Sequence, residues 1–288
     1  MTIAFLNGDY LPLAEARISP MDRGFLFGDG IYEVIPTLQG KPIGFNAHMA
    51  RMRQGLEMLE ISSPFPADYW RAVVNSLLTK NNELLQSESV GIYIQISRGA
   101  DATRSHAYPD DLTPTLFAFA FATPPPPVPD ASKVKGLHVA LGEDKRWQRC
   151  NIKSTSLLGN VMHFEQGKRE GKQEIILFNR HKEISEASSS NVFIVSNGVI
   201  KTPPLDHQIL PGITRKLVIE CLVKEGILVE ETVLPLAELL AAEEVWLTSS
   251  SKEIAPVIEI EGKPVGNGKV GKIWQQAIEA FNQHKFNF

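Results

Sequence analysis

Two cysteines in 288 residues, Cys150 and Cys221, are too few for a disulfide framework or a cysteine-rich zinc site, and they predict a reducing compartment. No cluster of histidine and cysteine has metal-ligand spacing. Lysine and arginine (29) do not exceed aspartate and glutamate (33), and the net charge of -4 offers no basic face to nucleic acid or to an anionic membrane. No apolar run is long enough to span a bilayer. Residues 1–9 lack a basic segment followed by a long apolar core, so no secretory signal is expected and a cytoplasmic location is. The nucleophile elbow Gly-x-Ser-x-Gly does not occur. What remains, 43% hydrophobic and 22% charged residues, is ordinary globular composition with length for one large domain or two medium ones.

The strongest punctuation is the run of four prolines from Pro124 to Pro127, with Pro129 following. Such a run favours extended polyproline geometry and continues neither a helix nor a central strand. It divides the chain into a smaller N-terminal α/β domain (1–122), a linker (123–130) and a larger C-terminal mixed α/β domain (131–288). In the first part, residues 3–6 and 10–13 read as a hairpin on Asn7-Gly8, and residues 31–35 and 42–45 as a strand pair around Gln39-Gly40. Residues 46–59 and 67–78 have helical periodicity, and residues 91–96 and 114–120 are strands. In the second part, strands are expected over 136–140, 174–178, 191–195 and 244–248, and helices over 157–171, 214–224 and 273–281. Glu186 falls in a turn between two of those strands. The fold class is α+β with two domains.

Several segments bear groups suited to chemistry. Lys153 lies in Arg-Cys-Asn-Ile-Lys-Ser (149–154), just before an apolar helix. Most lysines are solvated surface charges; one held near a core is able to condense with an aldehyde cofactor. Glu186 opens Glu-Ala-Ser-Ser-Ser-Asn (186–191), either an ordinary polar turn or a packed site in which a carboxylate meets a ring nitrogen. Leu-Pro-Gly-Ile-Thr-Arg (210–215) opens a helix whose first amides, from Ile213 and Thr214, suit an anion or simply end a helix. Thr248, Ser249, Ser250 and Ser251 follow a strand and offer hydroxyls. Arg51, on a helix three residues after His48, is placed for a fork to phosphate or for a surface ion pair. Arg104 and His106 stand two apart in a loop, either solvated or aimed together at a carboxylate. Gly-Asn-Gly-Lys-Val-Gly-Lys (266–272) matches Gly-x-Gly-x-x-Gly and most of a P-loop, but Ile273 stands where the P-loop needs Ser or Thr. It is expected to be a turn opening the last helix.

In order along the chain, these segments resemble the fold-type IV transaminases that depend on pyridoxal 5'-phosphate (PLP), and within them the D-amino acid branch. The carrying motifs are Gly-Asp-Gly-Ile-Tyr-Glu (28–33), His48-x-x-Arg51, Arg98-Gly99 with Arg104-x-His106, the Lys153 segment with Asn160, the Glu186 segment, Leu210-x-Gly212-Ile213-Thr214-Arg215, Thr248-Ser249-Ser250 and Glu253-Ile254-x-Pro256-Val257. The resemblance covers nearly the whole chain. It implies an enzyme in which Lys153 is catalytic and holds PLP, Glu186 pairs with the pyridine nitrogen, and Leu210 packs on the ring. Arg51, Ile213, Thr214, Ser249 and Ser250 would take the phosphate, and Tyr32, Arg104 and His106 the substrate carboxylate. It also implies a homodimer acting on D-amino acids and 2-oxo acids by a ping-pong mechanism. Branched-chain L-amino acid transaminases and aminodeoxychorismate lyases share the core motifs, and Arg104-x-His106 favours the D-amino acid branch over both.

Overall fold

An Asn-Gly turn starts the first of two units. Asn7 (φ 51°) and Gly8 (φ 105°) supply the paired left-handed residues that a two-residue hairpin needs. They join β1 (Ile3–Leu6) to β2 (Asp9–Pro12) with Leu6 opposite Asp9. This is a computed structural model, and it describes every residue except Pro64.

The first unit comprises Met1–Pro125, Ile152–Leu157 and Phe288. After the hairpin come α1 (Arg23–Phe27), β3 (Gly30–Leu38), β4 (Lys41–Pro42), α2 (Phe45–Met58), α3 (Ala67–Leu85), β5 (Ser89–Ser97) and β6 (Thr115–Ala122). The second strand around Gln39-Gly40 is shorter than its sequence suggests. Gly44 takes φ 65° and caps α2, so Phe45 enters a helix instead of extending β4. The strands form one antiparallel sheet in the order β2-β1-β6-β5-β3-β4. Burial alternates along β3 and β6, as expected for a sheet with one face on the core. Ile31, Ile35, Ile92, Ile94 and Ile96 pack there against Met49, Met52 and Leu56 of α2 and Trp70, Val73, Val74 and Leu77 of α3. In β6 the residues turned to the helices are Ala118 and Ala120, while Phe117, Phe119 and Phe121 line the other face. There they continue an aromatic ladder from Tyr32 and Tyr93.

The segment Ile152–Leu157 belongs to this first unit, whereas a division at the proline run places Lys153 within 131–288. The reason is backbone pairing. Tyr32 N donates to Lys153 O (3.0 Å), Thr155 N donates to Gly30 O (2.9 Å), and Ser154 forms an antiparallel bridge with Ile31.

The second unit comprises Pro126–Asn151 and Leu158–Asn287. Its elements are β7 (Leu137–Glu143), α4 (Leu158–Arg169), β8 (Glu174–Phe178), β9 (Ile184–Ala187), β10 (Asn191–Ser196), β11 (Val199–Thr202), α5 (Ile213–Lys224), β12 (Val229–Glu231), α6 (Leu236–Leu240), β13 (Glu244–Ser249), β14 (Glu253–Ile260), β15 (Lys263–Pro264) and α7 (Lys272–His284). One mixed sheet runs β12-β11-β10-β13-β14-β7-β8-β9, with β15 on β14. Most of its interior strands are near-continuous apolar runs, as strands covered on both faces are. Glu186 lies in the strand β9 and not in a turn; all four of its residues are buried because β9 pairs with β8 through Ile176 opposite Ala187. Among the described residues no helix is long and apolar enough to cross a membrane.

Candidate active site

Chemistry-bearing side chains gather in two clusters, one in each unit. In the first unit, the bonds that pair Lys153 with β3 place its Nζ 4.1 Å from the centroid of the Tyr32 ring. Tyr32 in turn stacks on Tyr93, with centroids 5.6 Å apart. No carboxylate pairs with the Lys153 ammonium among the described residues. An aromatic face attracts a cation without neutralising it, so the amine is positioned and still available for chemistry.

Beside it, Glu33 is a fully buried carboxylate on the core-facing row of β3. His48 Nδ1 lies 2.7 Å from Glu33 Oε2, while Arg51 donates from Nε to Oε1 (2.8 Å) and from Nη2 to Oε2 (2.7 Å). Burial alone would raise the Glu33 pKa, but Arg51 and His48 outweigh it and bring it down to about 2. Burial pushes the His48 pKa below its ordinary value, with Arg51 and Lys153 adding to the effect against Glu33. His48 is therefore neutral near pH 7 and donates from Nδ1. The sequence leaves Arg51 placed for a fork to phosphate or for an ion pair; in the fold its Nε and Nη2 donate to Glu33. A charged residue in the same row as Ile31 and Ile35, with cation-capable residues three apart on a helix, is the sequence signal for this triad.

Arg104 and His106 both border the Phe27 ring. The Arg104 guanidinium is 5.1 Å from its centroid and the His106 ring 5.5 Å from it. Among the described residues no hydrogen bond or ring contact joins them to Tyr32.

In the second unit, the buried carboxyl of Glu186 on β9 is held from two sides. Arg146 Nη1 donates to Glu186 Oε1 (2.5 Å), while Asn191 Nδ2 (3.2 Å) and Leu210 N (3.1 Å) donate to Oε2. Burial pushes the Glu186 pKa up to about 7 in spite of Arg146. The physical reason is that Arg146 is already forked onto Asp144, by Nε to Oδ1 (3.0 Å) and Nη2 to Oδ2 (2.7 Å), and Asp144 itself repels Glu186. Neither Arg146 nor Asp144 stands out in the sequence. Arg146 lies 40 positions from Glu186 and no local pattern ties the two.

The serine run divides its work. Ser188 and Ser189 donate to the buried Glu174, which fixes the turn before β10. Ser190 Oγ is buried with no hydrogen-bond partner, and so is Thr248 Oγ1. Thr248 faces Asn191 across β10 and β13, and Ser249 and Ser250 follow it directly. Asn191 also donates to Leu210 O (2.9 Å), and a Cβ placed on Gly212 would fall 1.9 Å from Asn191 Oδ1. The first turn of α5, with Ile213 and Thr214, is thus held against the strand ends that bear Glu186 and the free hydroxyls. Gly212 supplies no side-chain cap to that turn. The unpartnered Thr248 hydroxyl, opposite Asn191, and the uncapped amides of α5 are donors suited to an anion, and the raised carboxyl of Glu186 suits a basic ring nitrogen.

Comparison with known proteins follows the same lines. Residues 30–260 match the family model described as amino-transferase class IV. The chain is 37% identical over 285 residues to a D-alanine aminotransferase of Staphylococcus haemolyticus, covering 99% of this chain and 98% of that one. It is 35% identical over 267 residues to a D-alanine aminotransferase of Listeria innocua, covering 93% and 90%. Among solved structures, the Escherichia coli branched-chain amino acid aminotransferase superposes with a TM-score of 0.88 at 24% identity, covering 98% of this chain and 94% of that one. The branched-chain aminotransferase of the archaeon Thermoproteus uzoniensis, solved with norvaline, does so with a TM-score of 0.84 at 23% identity, covering 99% and 95%. These two share the fold. On the family match and the identity to its relatives, this chain belongs to the class IV amino-transferases.

Proposed function

We propose that this aminotransferase uses PLP to move the amino group between D-amino acids, D-alanine and D-glutamate among them, and 2-oxo acids such as pyruvate and 2-oxoglutarate. The observation that carries the reading is Lys153, an amine fixed on the Tyr32 ring face without a carboxylate to neutralise it. The choice of D-amino acids draws on the identity to D-alanine aminotransferases and on the Arg104-His106 pair around Phe27.

The residues present fit the cofactor. Lys153 would hold it through Nζ, Glu186 would face its ring nitrogen and Leu210 its ring. Arg51, the amides of Ile213 and Thr214, and the hydroxyls of Ser249 and Ser250 would take the phosphate. When bound, the cofactor supplies an electron sink that makes the substrate Cα–H acidic. Once the substrate amine has taken its place on the cofactor, the freed Lys153 Nζ would accept that proton, a general-base task for a positioned amine. Glu186, a buried carboxyl with its pKa raised to about 7, would share a proton with the ring nitrogen, an interaction that low dielectric strengthens. Arg146 and Asn191 hold that carboxyl in place. Tyr32, Arg104 and His106 receive the substrate carboxylate, which decides which Cα–H faces Lys153 and hence the enantiomer. The protein is proposed to be cytoplasmic and a homodimer. On α4, Leu158, Val161 and Met162 are 72%, 53% and 66% exposed at i, i+3, i+4 spacing, an apolar stripe that a second subunit would cover.

Reconstitution with PLP tests the reading. The wild type should gain a visible absorbance band and turn over D-alanine with 2-oxoglutarate in preference to L-leucine or aminodeoxychorismate. Lys153→Ala should lose both the band and turnover; retained turnover would remove Lys153 from the chemistry. Preferential turnover of L-leucine, or elimination from aminodeoxychorismate, would move the enzyme to those branches.

A further inference from the structure

We propose that Arg23, outside every motif so far assigned a role, is the positioning residue of the carboxylate-binding loop. The inference rests on the transaminase reading above, in which Arg104 and His106 take the substrate carboxylate.

The loop of residues 99–114 is tied at its base and again in its middle, both times by the segment around α1. At the base, Arg23 N donates to Gly99 O (2.8 Å), Asp22 bridges Ala100, and Thr115 Oγ1 donates to Asp22 Oδ2 (2.6 Å). The two legs of the loop pass so closely that a Cβ on Gly99 would fall 2.0 Å from Thr113 O, and Gly99 has φ 104°. In the middle, the Arg23 guanidinium reaches three consecutive carbonyls: Nη1 donates to Ser105 O (2.6 Å) and Ala107 O (3.4 Å), and Nη2 to His106 O (3.0 Å). Those carbonyls belong to His106 and to the residues on either side of it, and Ser105 adjoins Arg104.

Arg23 is itself held rigid. It is 3% exposed, and its Nε donates to Asp29 Oδ2 (2.8 Å). Asp29 also takes a fork from Arg98, at 2.8 and 3.1 Å. Arg98 lies 3.5 Å from the centroid of Tyr108, whose hydroxyl donates to Glu60 Oε2 (3.1 Å), so the far side of the loop rests on the same platform. A backbone that curls its carbonyls around one planar guanidinium has its curvature set by that group. Lysine keeps the charge but offers no fixed fork. Arg23 therefore sets where Arg104 and His106 stand, without touching the substrate.

The test uses cofactor-loaded enzyme and compares wild type with Arg23→Gln, Arg23→Lys, Arg104→Ala and the double variant Arg23→Gln/Arg104→Ala. Arg23→Gln should raise KM for D-alanine about tenfold and leave kcat within about threefold, because misplacement of a binding group acts on substrate capture. Cofactor affinity should not change, and amide hydrogen exchange across residues 100–113 should quicken about tenfold. Arg23→Lys should fall between wild type and Arg23→Gln. In the double variant, KM should rise by less than the product of the two single-variant increases, since Arg23 acts through Arg104 and His106. Additive KM effects in the double variant, a parallel fall in kcat and cofactor affinity, or unchanged loop exchange would each overturn the proposal. Should Arg23→Gln fail to fold, Tyr108→Leu at the 39% exposed ring serves instead: quickened loop exchange with a raised KM supports the platform, and wild-type values for both overturn it. Absence of D-alanine turnover in the wild type defeats the transaminase reading alone, while the exchange measurement still decides on the clamp.

Discussion

Two helices of the second unit, α5 and α7, begin in the same way on paper and end up with opposite uses. Each has a glycine at its N-cap, Gly212 and Gly271, and neither glycine offers a capping side chain. The α7 terminus is filled by the protein's own carboxylate. Ile273 N donates to Glu244 Oε1 (3.0 Å) and Trp274 N to Glu244 Oε2 (2.8 Å), and Trp246 Nε1 donates to the same Oε2 (3.0 Å). At α5, Glu186 instead takes Leu210 N, three residues upstream of the helix, and no side chain among the described residues caps the first turn. The helix with the phosphate-like motif therefore has an internal anion, while the helix without one presents its amides beside the unpartnered Thr248 strand end. A glycine-rich string reports that a backbone comes close to something; what it approaches is decided by the tertiary fold.

Exchanging each glycine for alanine gives the largest expected contrast. At both positions a Cβ would fall 1.9 Å from an oxygen, Asn191 Oδ1 at Gly212 and Glu244 Oε1 at Gly271. Asn191 is buried and bonded to both Glu186 and Leu210 O, so it has no room to yield. Gly212→Ala should weaken PLP binding roughly a hundredfold, about 2.7 kcal/mol, as read by absorbance titration. Gly271→Ala should leave that affinity unchanged and lower the unfolding free energy by about 1–2 kcal/mol through the lost cap. Equal cofactor losses in both variants would erase the distinction between the helices.

The two glutamates sharpen the contrast through pH. Burial raises Glu186 to about 7 in the folded chain against an ordinary value of 4.5. Between those values the folded protein holds a proton that the unfolded chain releases, so stability is fully present below about pH 4.5 and declines as pH rises toward 7. The contribution is on the order of 2 kcal/mol over that window. Urea unfolding of the cofactor-free protein at pH 5, 6 and 7.5 should show that decline in the wild type relative to Glu186→Gln, which has no proton to lose at this position. A wild type and Glu186→Gln with the same pH dependence across that interval would mean that Glu186 is ionised throughout.

Short-range structure is legible in the sequence, and the partners of the site are not. Asn7-Gly8 specifies its hairpin because only left-handed residues fit that turn. The stripe Met49, Met52 and Leu56 specifies α2 because the helical period puts all three on the core. Lys153, Glu186, Ile213 and Thr214 can be singled out because their chemistry is local to a motif. The serines after Glu186 nonetheless suggest a turn there; what makes β9 a strand is pairing with β8, set by neither segment alone. Arg146 on Glu186, Glu244 on α7 and Arg23 on the loop are invisible for one reason. Each contact spans 29 to 84 positions, and its strength comes from burial that the sequence does not display.

The smallest expected effect is also the most direct comparison of the two helix ends. Inorganic phosphate at about ten times its dissociation constant should stabilise the cofactor-free wild type by about 1.4 kcal/mol, a rise of a few degrees in Tm for a chain of this size. The shift should persist in Gly271→Ala, whose altered helix faces Glu244 and repels an anion already. It should vanish in Gly212→Ala, where Asn191 and the first turn of α5 are displaced from each other. Sodium chloride at matched ionic strength should give no shift, which separates a specific anion from general screening. A shift lost in Gly271→Ala and kept in Gly212→Ala would reverse the assignment and put the anion at the glycine-rich string before α7. That outcome requires Glu244 to leave two backbone amides and an indole N–H that it now satisfies together, and the free-energy cost of three orphaned donors is the physical reason to expect the opposite.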